Sequence, residues 1–444
     1  MNWVLVTAAI SVILATPVFA EFQKPEFSGT WEQELAIENN TGDAQKFEAL
    51  IEPEWNFVFD DGLELTAIGR LRLDLVGDLS PKKSRPDNYS GINGPWAQSA
   101  HGEISLREFY LDAEWFGSYW RIGKQQVVWG QADGLKVLDV VNPQSFREFI
   151  LDDFDDSRIP LWMLNVEVPV AEDDTLQFLW IPDTTYHEQA EPGTPYQITS
   201  PKFVPTIPEG APEDVPVSLS SPLKPDRFLA DSDFGVRYSS FRGGWDITVN
   251  YLYHYADFLV LYQDIDRDAP LGGITIDPEY ERSHLLGGTL SNVFGDFTLR
   301  AEIGYSTDTY HIASDIHNRG ISNSPELASV LGLDWQGLSD TFISLQWFQS
   351  HLFDYDRNTV RDRTEHTLSF LFQRYFASET WKLELLVLQS LNGHDGLVRP
   401  KLTHSLLSNL EIWVGADIFH GNKDGLFGQF DQADRVVAGF RLGF

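Results

Sequence analysis

The sequence predicts an all-β fold, a transmembrane antiparallel up-and-down β-barrel of about eighteen strands, with sixteen as the alternative count. Three observations carry this. Beyond Glu21 apolar and polar residues alternate with a dominant period of two, the signature of a strand with one apolar and one polar face. The connections between such stretches alternate short and mostly longer, so turns gather at one rim and loops at the other. The chain also ends in VVAGFRLGF, an amphipathic strand closing on phenylalanine.

Composition is compatible with that fold and excludes others. The 444 residues carry Lys+Arg 32 against Asp+Glu 66, a net charge of −34, which opposes any binder of a phosphate backbone, so no nucleic-acid partner is expected. With Cys 0 there is no disulfide scaffold, thiolate catalyst or cysteine-bound zinc. An aromatic share of 13% is too high for a disordered acidic chain. The mean hydropathy of −0.23 looks soluble, yet a barrel also reads this way because only alternate residues face lipid.

The first element is an export signal. Residues 3–19 are apolar, Pro17 interrupts them, and Val18-Phe19-Ala20 has the small-residue spacing of a cleavage site, so residues 1–20 read as a signal peptide although Met1-Asn2 lacks a Lys or Arg. Residues 21–444 then form the barrel. No later stretch has the run of about 18 uncharged apolar residues that a transmembrane helix needs.

The expected strands are 27–39, 47–59, 63–76, 105–116, 119–131, 158–171, 176–182, 233–241, 245–257, 284–294, 297–312, 326–338, 341–353, 366–377, 381–393, 398–407, 411–421 and 436–444. In 63–76, for instance, Leu63, Leu65, Ala67, Leu71, Leu73 and Leu75 alternate with Glu64, Thr66, Arg70, Arg72 and Asp74. Turns such as Asp60-Asp61-Gly62, Gly117-Ser118, Arg242-Gly243-Gly244 and Gly295-Asp296 alternate with connections at 77–104, 132–157, 183–232, 258–283, 313–325, 354–365 and 422–435. An even strand count puts both termini on the turn side, the periplasmic rim of an outer-membrane barrel. Trp31, Trp55, Trp115, Trp120, Trp245, Trp335, Trp347 and Trp381 are expected near strand ends, as an interfacial girdle.

In the last strand Val436, Ala438, Phe440, Leu442 and Phe444 share one face. It resembles the C-terminal strand that the outer-membrane assembly machinery recognises in Gram-negative bacteria, which marks Phe440, Leu442 and Phe444 as an assembly signal. Outer-membrane lipids and that machinery are then the expected partners, and the cell outer membrane the expected location.

By alternation the lumen is mixed in charge and rich in acids. Arg70, Arg72, Arg121, Arg300, Lys382 and Arg441 face inward with Glu52, Glu54, Glu108, Asp112, Glu114 and Glu302 among the acids. These charges tune which ions pass or simply pair across strands in a wet interior. Segment 132–157 is read as a constriction loop: Asn142-Pro143 begins a short helix with Phe146, Phe149 and Ile150 on one face, leaving Arg147, Glu148, Asp152, Asp153, Asp155 and Asp156 toward water. The pore-lining set is thus Arg70, Arg72, Glu108, Asp112, Arg121, Arg147, Asp152, Asp153, Asp155 and Asp156. The Pro-rich stretch 183–232 is read as a long extracellular loop or partial plug. No metal or cofactor is expected: Asp264-Ile265-Asp266-Arg267-Asp268 starts like a calcium loop but Ala269 stands where glycine is needed. His404 and Ser405 sit on opposite faces of a strand and form no hydrolytic relay.

The run Gly123, Lys124, Gln125, Val127, Trp129 and Gly130, followed by Val141, Asn142 and Pro143, resembles a family of Gram-negative outer-membrane barrels catalogued as a domain of unknown function, with alginate-export and phosphate-selective barrels as distant cousins. The resemblance implies a porin-like or export-linked barrel, in some relatives working with a large inner-membrane exporter of hydrophobic compounds. It carries over no catalytic residue. The expected function is a channel for small polar or amphipathic solutes rather than an enzyme. The alternatives are an export conduit for a hydrophobic compound, fed by a periplasmic or inner-membrane component, an outer-membrane hydrolase, and a closed structural or adhesive barrel.

Overall fold

The structure is a computed structural model that describes residues 25–59, 62–80, 88–206, 216–266, 273–315 and 317–444. The expected signal peptide lies outside them, as do the turn Asp60-Asp61 and Asp268 of the calcium-like run. Eighteen strands make the wall. The first nine are β1 (Glu26–Glu38), β2 (Ala44–Val58), β3 (Glu64–Asp74), β4 (Gly102–Trp115), β5 (Ser118–Gln125), β6 (Leu161–Ala171), β7 (Asp174–Ile181), β8 (Asp233–Arg242) and β9 (Trp245–Tyr255). They are followed by β10 (Arg282–Phe294), β11 (Phe297–Ile312), β12 (Ile321–Trp335), β13 (Thr341–Leu352), β14 (Thr364–Phe376), β15 (Trp381–Ser390), β16 (Gly396–Leu407), β17 (Leu410–His420) and β18 (Arg435–Gly443). Each pairs antiparallel with the next, and β1 closes on β18 with Trp31 opposite Leu442 and Glu34 opposite Gly439. Closure satisfies the wall's backbone and leaves no free edge.

The wall is inverted relative to a soluble protein. Ile303 is 50% exposed and Leu345 53%, while Glu302 is 3% exposed and Gln346 2%, their neighbours along the same strands. Apolar side chains therefore face outward around most of the wall, and the side chains that face the interior are largely polar. Leu73 faces out and Arg70 and Asp74 are buried inside. A sandwich would bury the apolar set instead.

The turn rim is built from two-residue or similarly tight connections. Gly243 and Gly244, at φ +60° and +86°, supply the two left-handed positions of a hairpin turn that follows the twist of its strands. Trp55, Trp115, Trp120, Trp245, Trp335 and Trp381 gather toward the turn ends of their strands, but Trp31 and Trp347 lie mid-strand, so the girdle is narrower than the sequence predicts. Trp347 stacks on His366 with its indole N–H toward Nδ1, which satisfies the polar edge without an interface. At the other rim, 39–43 and 391–395 are as tight as turns, and the remaining connections are long.

Two long connections enter the barrel. In 182–232, Tyr196 is fully buried and its hydroxyl donates to Gln45 Oε1 at 2.9 Å, while Phe228 lies outside against Trp180, ring centroids 5.5 Å apart. The other is 126–160, between β5 and β6.

Candidate functional site

Segment 126–160 leaves the wall through a hinge made by the residues that stand out in the sequence. Asn142 Oδ1 accepts the Val127 N–H at 2.7 Å, and its amide donates to Gln125 O and Ile159 O at 3.2 and 3.1 Å, which cross-links the two ends of the loop. Gln125 Nε2 donates to Arg121 O and Met163 O. Trp129 Nε1 donates to Gln177 Oε1 at 2.9 Å, and its ring packs with Leu138 and Val141 on Leu161, Met163, Leu179, Leu252 and Leu285, an apolar strip on the inner wall of β6, β7, β9 and β10. Gly130 has no room for a side chain, since a Cβ would come within 2.9 Å of Asp139 N.

From there the loop crosses the lumen. On one side Glu302 accepts the N–H groups of Gln131 and Leu138, Gln346 accepts from Asp133 at 3.0 Å, and Arg300 bridges Asp133 and Asp334. These partners sit on β11, β12 and β13. On the opposite wall Glu148 pairs with Lys46 at 2.8 Å and Arg435 at 2.7 Å, Arg147 with Glu48 at 2.6 Å, Asp156 with Arg70 at 2.9 Å, and Asp153 with Arg441 at 3.2 Å. Arg399 holds Leu151 O at 2.7 Å, and Phe149 packs among Phe419, Phe427 and Phe430.

The helix expected over 142–150 does not form. Asn142 is engaged at the hinge instead of capping, and Ser145–Phe146 pairs as a short parallel strand with Glu188–Gln189. Phe146 then points to His187 and Phe258 while Phe149, at φ +55°, points to the Phe419 cluster, directions that one helical face cannot serve. The only helical turn of the loop among the described residues is Phe154–Ser157. Arg147 and Glu148 do not face water either: both are buried, because their wall partners outcompete solvent. Asp153 and Asp155 remain exposed.

The other sequence-predicted lining residues point inward. Arg70 joins Glu52 at 2.6 Å, Arg121 joins Asp112 at 2.7 Å, Gln126 donates to Glu108 at 2.7 Å, and Arg72 lies 3.5 Å from Glu48. Sequence reasoning passed over Lys46, Arg107 and Arg435. Strand parity could have found Lys46, since it shares the Glu48 face of β2; Arg107 sits at a register shift, which parity cannot place.

The loop and the wall of β1–β3 and β15–β18 enclose a polar cavity of about 100 Å³ on the turn side of the loop. Eight carboxylates line it, among them Glu32, Asp152, Asp153 and Glu384, against five basic side chains that include Arg399 and Lys401. Burial disfavours ionised Glu148, but the charges of Lys46, Arg435 and Arg147 outweigh it and hold the carboxyl well below its ordinary value. For Asp152 the balance is the other way: burial, then the neighbouring Glu148 charge, outweighs Lys46, Arg147 and Arg72 and pushes it up to about 6.

A family described as protein of unknown function (DUF1302) matches residues 76–444. The chain belongs to this family. No curated protein matches it. Among solved structures it is similar to OccAB2 of Acinetobacter baumannii, at 10% identity with 95% of this chain and 98% of that one covered and a TM-score of 0.53. OpdK of Pseudomonas aeruginosa, solved with vanillate, gives 10%, 95%, 99% and 0.52 on the same measures. A BenF-like porin of Pseudomonas fluorescens Pf-5 gives 10%, 96%, 98% and 0.51. At such identities the likeness is one of fold, and the fold is that of a porin barrel.

Proposed function

We propose that this DUF1302 barrel is an outer-membrane channel of a Gram-negative bacterium for small polar or amphipathic solutes, exported through its signal peptide and assembled through its C-terminal strand. The observation that carries the reading is the course of 126–160, which crosses the lumen and sets loop carboxylates against wall cations of β2, β3 and β18. A closed structural barrel has no need of a charged inner loop, whereas a loop placed there narrows the passage and imposes a field across it. Passage needs no covalent chemistry. His404 Nδ1 faces Thr380 O and stacks on Trp381, with Ser405 turned to Glu411, so the two do not act together.

The test is conductance of the purified protein in planar bilayers, with steps that rise when Asn142→Ala loosens the loop hinge. Absence of any conductance in both proteins would sink the channel reading. A second reading, an export conduit for a hydrophobic compound handed over by a periplasmic or inner-membrane component, draws on the apolar strip of Leu161, Met163, Leu179, Leu252 and Leu285 beneath Trp129. It predicts co-purification with such a component and transfer of an apolar cargo without ion steps.

A further inference from the structure

The wall arginines that face the inner loop are engaged by it, with one exception. Arg70, Arg107, Arg399 and Arg435 each donate a hydrogen bond to a loop atom, on Asp156, Arg158, Leu151 and Glu148. Arg72 donates none among the described residues, although its side chain is only 13% exposed. The carboxylates of Glu48 and Glu103 balance its charge from 3.5 and 3.8 Å, beyond good hydrogen-bond reach, and its Nε–H is buried without an acceptor. A guanidinium carries five donors in a fixed fork, and enclosing them unmet is destabilising unless something else accepts them.

Three cavities meet at this side chain. The cavity of about 100 Å³ on the turn side of the loop reaches it, and two smaller ones, of about 40 and 20 Å³, continue past it along β3 and β4 to Asp74, Ser80 and Gly102 at the loop rim. Glu103 and Glu188 line both smaller cavities. The wall register sets Glu103 directly opposite Arg72, and its Oε1 accepts the Ser105 hydroxyl at 2.8 Å. Glu188 arrives from 182–232 and is fixed by its parallel pairing with Ser145, whose hydroxyl donates to Oε2 at 2.7 Å. Each carboxylate thus keeps one oxygen without a hydrogen bond among the described residues. Asn93 lines the 40 Å³ cavity as well, and its Oδ1 is buried without a partner.

The unmet groups are of two kinds: Arg72 offers donors on a positive charge, and Glu103, Glu188 and Asn93 offer acceptors, two of them negative. An inorganic dianion would be repelled by the two carboxylates and a divalent cation by the guanidinium, so half of the site opposes each. A molecule with one carboxylate and one ammonium satisfies both halves. A water occupies about 10–15 Å³ of such space, so the two smaller cavities together hold about four to six waters, the bulk of a glycine rather than of a sugar. We propose that this junction is a binding site for a small zwitterion of the amino-acid class, its carboxylate on the Arg72 guanidinium and its ammonium between Glu103 and Glu188. The site rests on the channel reading for its place on the passage, and on its geometry alone for what it binds.

The chain has no cysteine, so Ala100→Cys places a single thiol at the wall of the 20 Å³ cavity, and its rate of modification by methyl methanethiosulfonate can be followed in the purified full chain in detergent. Glycine is expected to slow that reaction about fivefold at saturation, while acetate and methylammonium each leave it within about twofold. Adding Arg72→Gln should abolish the protection. Equal protection by acetate would make this a plain anion site and equal protection by methylammonium a cation site; either overturns the proposal. So does a thiol that does not react, one that glycine never protects, or protection that survives Arg72→Gln. The ligand series leaves Arg72 in place, so it decides the matter even where Arg72→Gln does not fold. In planar bilayers glycine should also interrupt the ion current of the unmodified protein. Protection without any conductance would uphold the site and count against the channel reading, and conductance without protection would do the reverse. Protection with an undisturbed current would take the site off the passage and overturn its place there.

Discussion

Glu148 shows how the inner loop is held at the scale of single residues. It is fully enclosed by Lys46, Arg147 and Arg435, so Glu148→Gln leaves three cations without their common partner. Removing one member of a buried ionic group costs about 3–5 kcal/mol, far more than an exposed pair. Hydrogen exchange over 147–157 should therefore accelerate strongly in this variant while exchange in β7–β13 stays unchanged; equal protection would show that the apolar Phe149 anchor suffices alone. Asp152 behaves oppositely. Its folded value of about 6 lies above the ordinary 3.8, so the packed loop binds more protons than the released one between those values, and its packing weakens as pH rises through 6. Asp152→Asn should remove that trend and protect the loop at pH 7 by on the order of 1 kcal/mol. Loop exchange that slows with rising pH across 4.5–7 in the unmodified protein would contradict the assignment.

Among elements, the strands were legible and the loop course was not, for a physical reason. Alternation encodes directly which side of the wall a residue faces, so all eighteen stretches appear within a few residues of their observed bounds, apart from β5 and β12. For β5 the alternation runs on to 131, since Val127 and Trp129 keep the inward parity of Arg121, but the chain leaves the wall after Gln125 and both side chains pack on the inner wall from the loop. The loop contacts join residues such as Glu48 and Arg147, 99 positions apart, or Glu148 and Arg435, 287 apart, and no local pattern encodes such a meeting. The closing strand is the element whose chemistry is most readily tested. Phe444 exchanges both backbone hydrogen bonds with Gly29, its ring lies 5.9 Å from Phe27, and Phe440 sits edge-on to Trp31 at 5.3 Å. Phe444→Asp puts a charge on that lipid-facing seam, and assembled barrel in outer-membrane fractions should fall severalfold, with heat-modifiable mobility as the readout. Unaltered levels would remove Phe440, Leu442 and Phe444 as the assembly signal.

For the whole molecule the question is the sign of the field across the passage. The cavity beside the loop has eight carboxylates and five cations, which favours weak cation preference at low salt. That excess is smaller than the sequence alone implies, because Asp153, Asp155 and Asp156 are matched to Arg441, Arg158 and Arg70. Replacing Asp152, Asp153, Asp155 and Asp156 with asparagine should therefore abolish the preference. Five carboxylates then face the five cations of the cavity, and the three arginines keep Glu32, Asp139 and Glu52, so the reversal potential in a salt gradient should move to about zero. Raising salt from 0.1 to 1 M shortens the screening length from about 10 Å to about 3 Å, so the preference of the unmodified protein should fade. Anion preference in the unmodified protein would mean that the narrowest point lies beside Arg70, Arg72 and Arg121 on β3 and β5, where Glu52 and Asp112 leave the cations dominant. A quadruple variant that keeps the cation preference of the unmodified protein would show that wall acids such as Glu32 and Glu52, not the loop carboxylates, set the field.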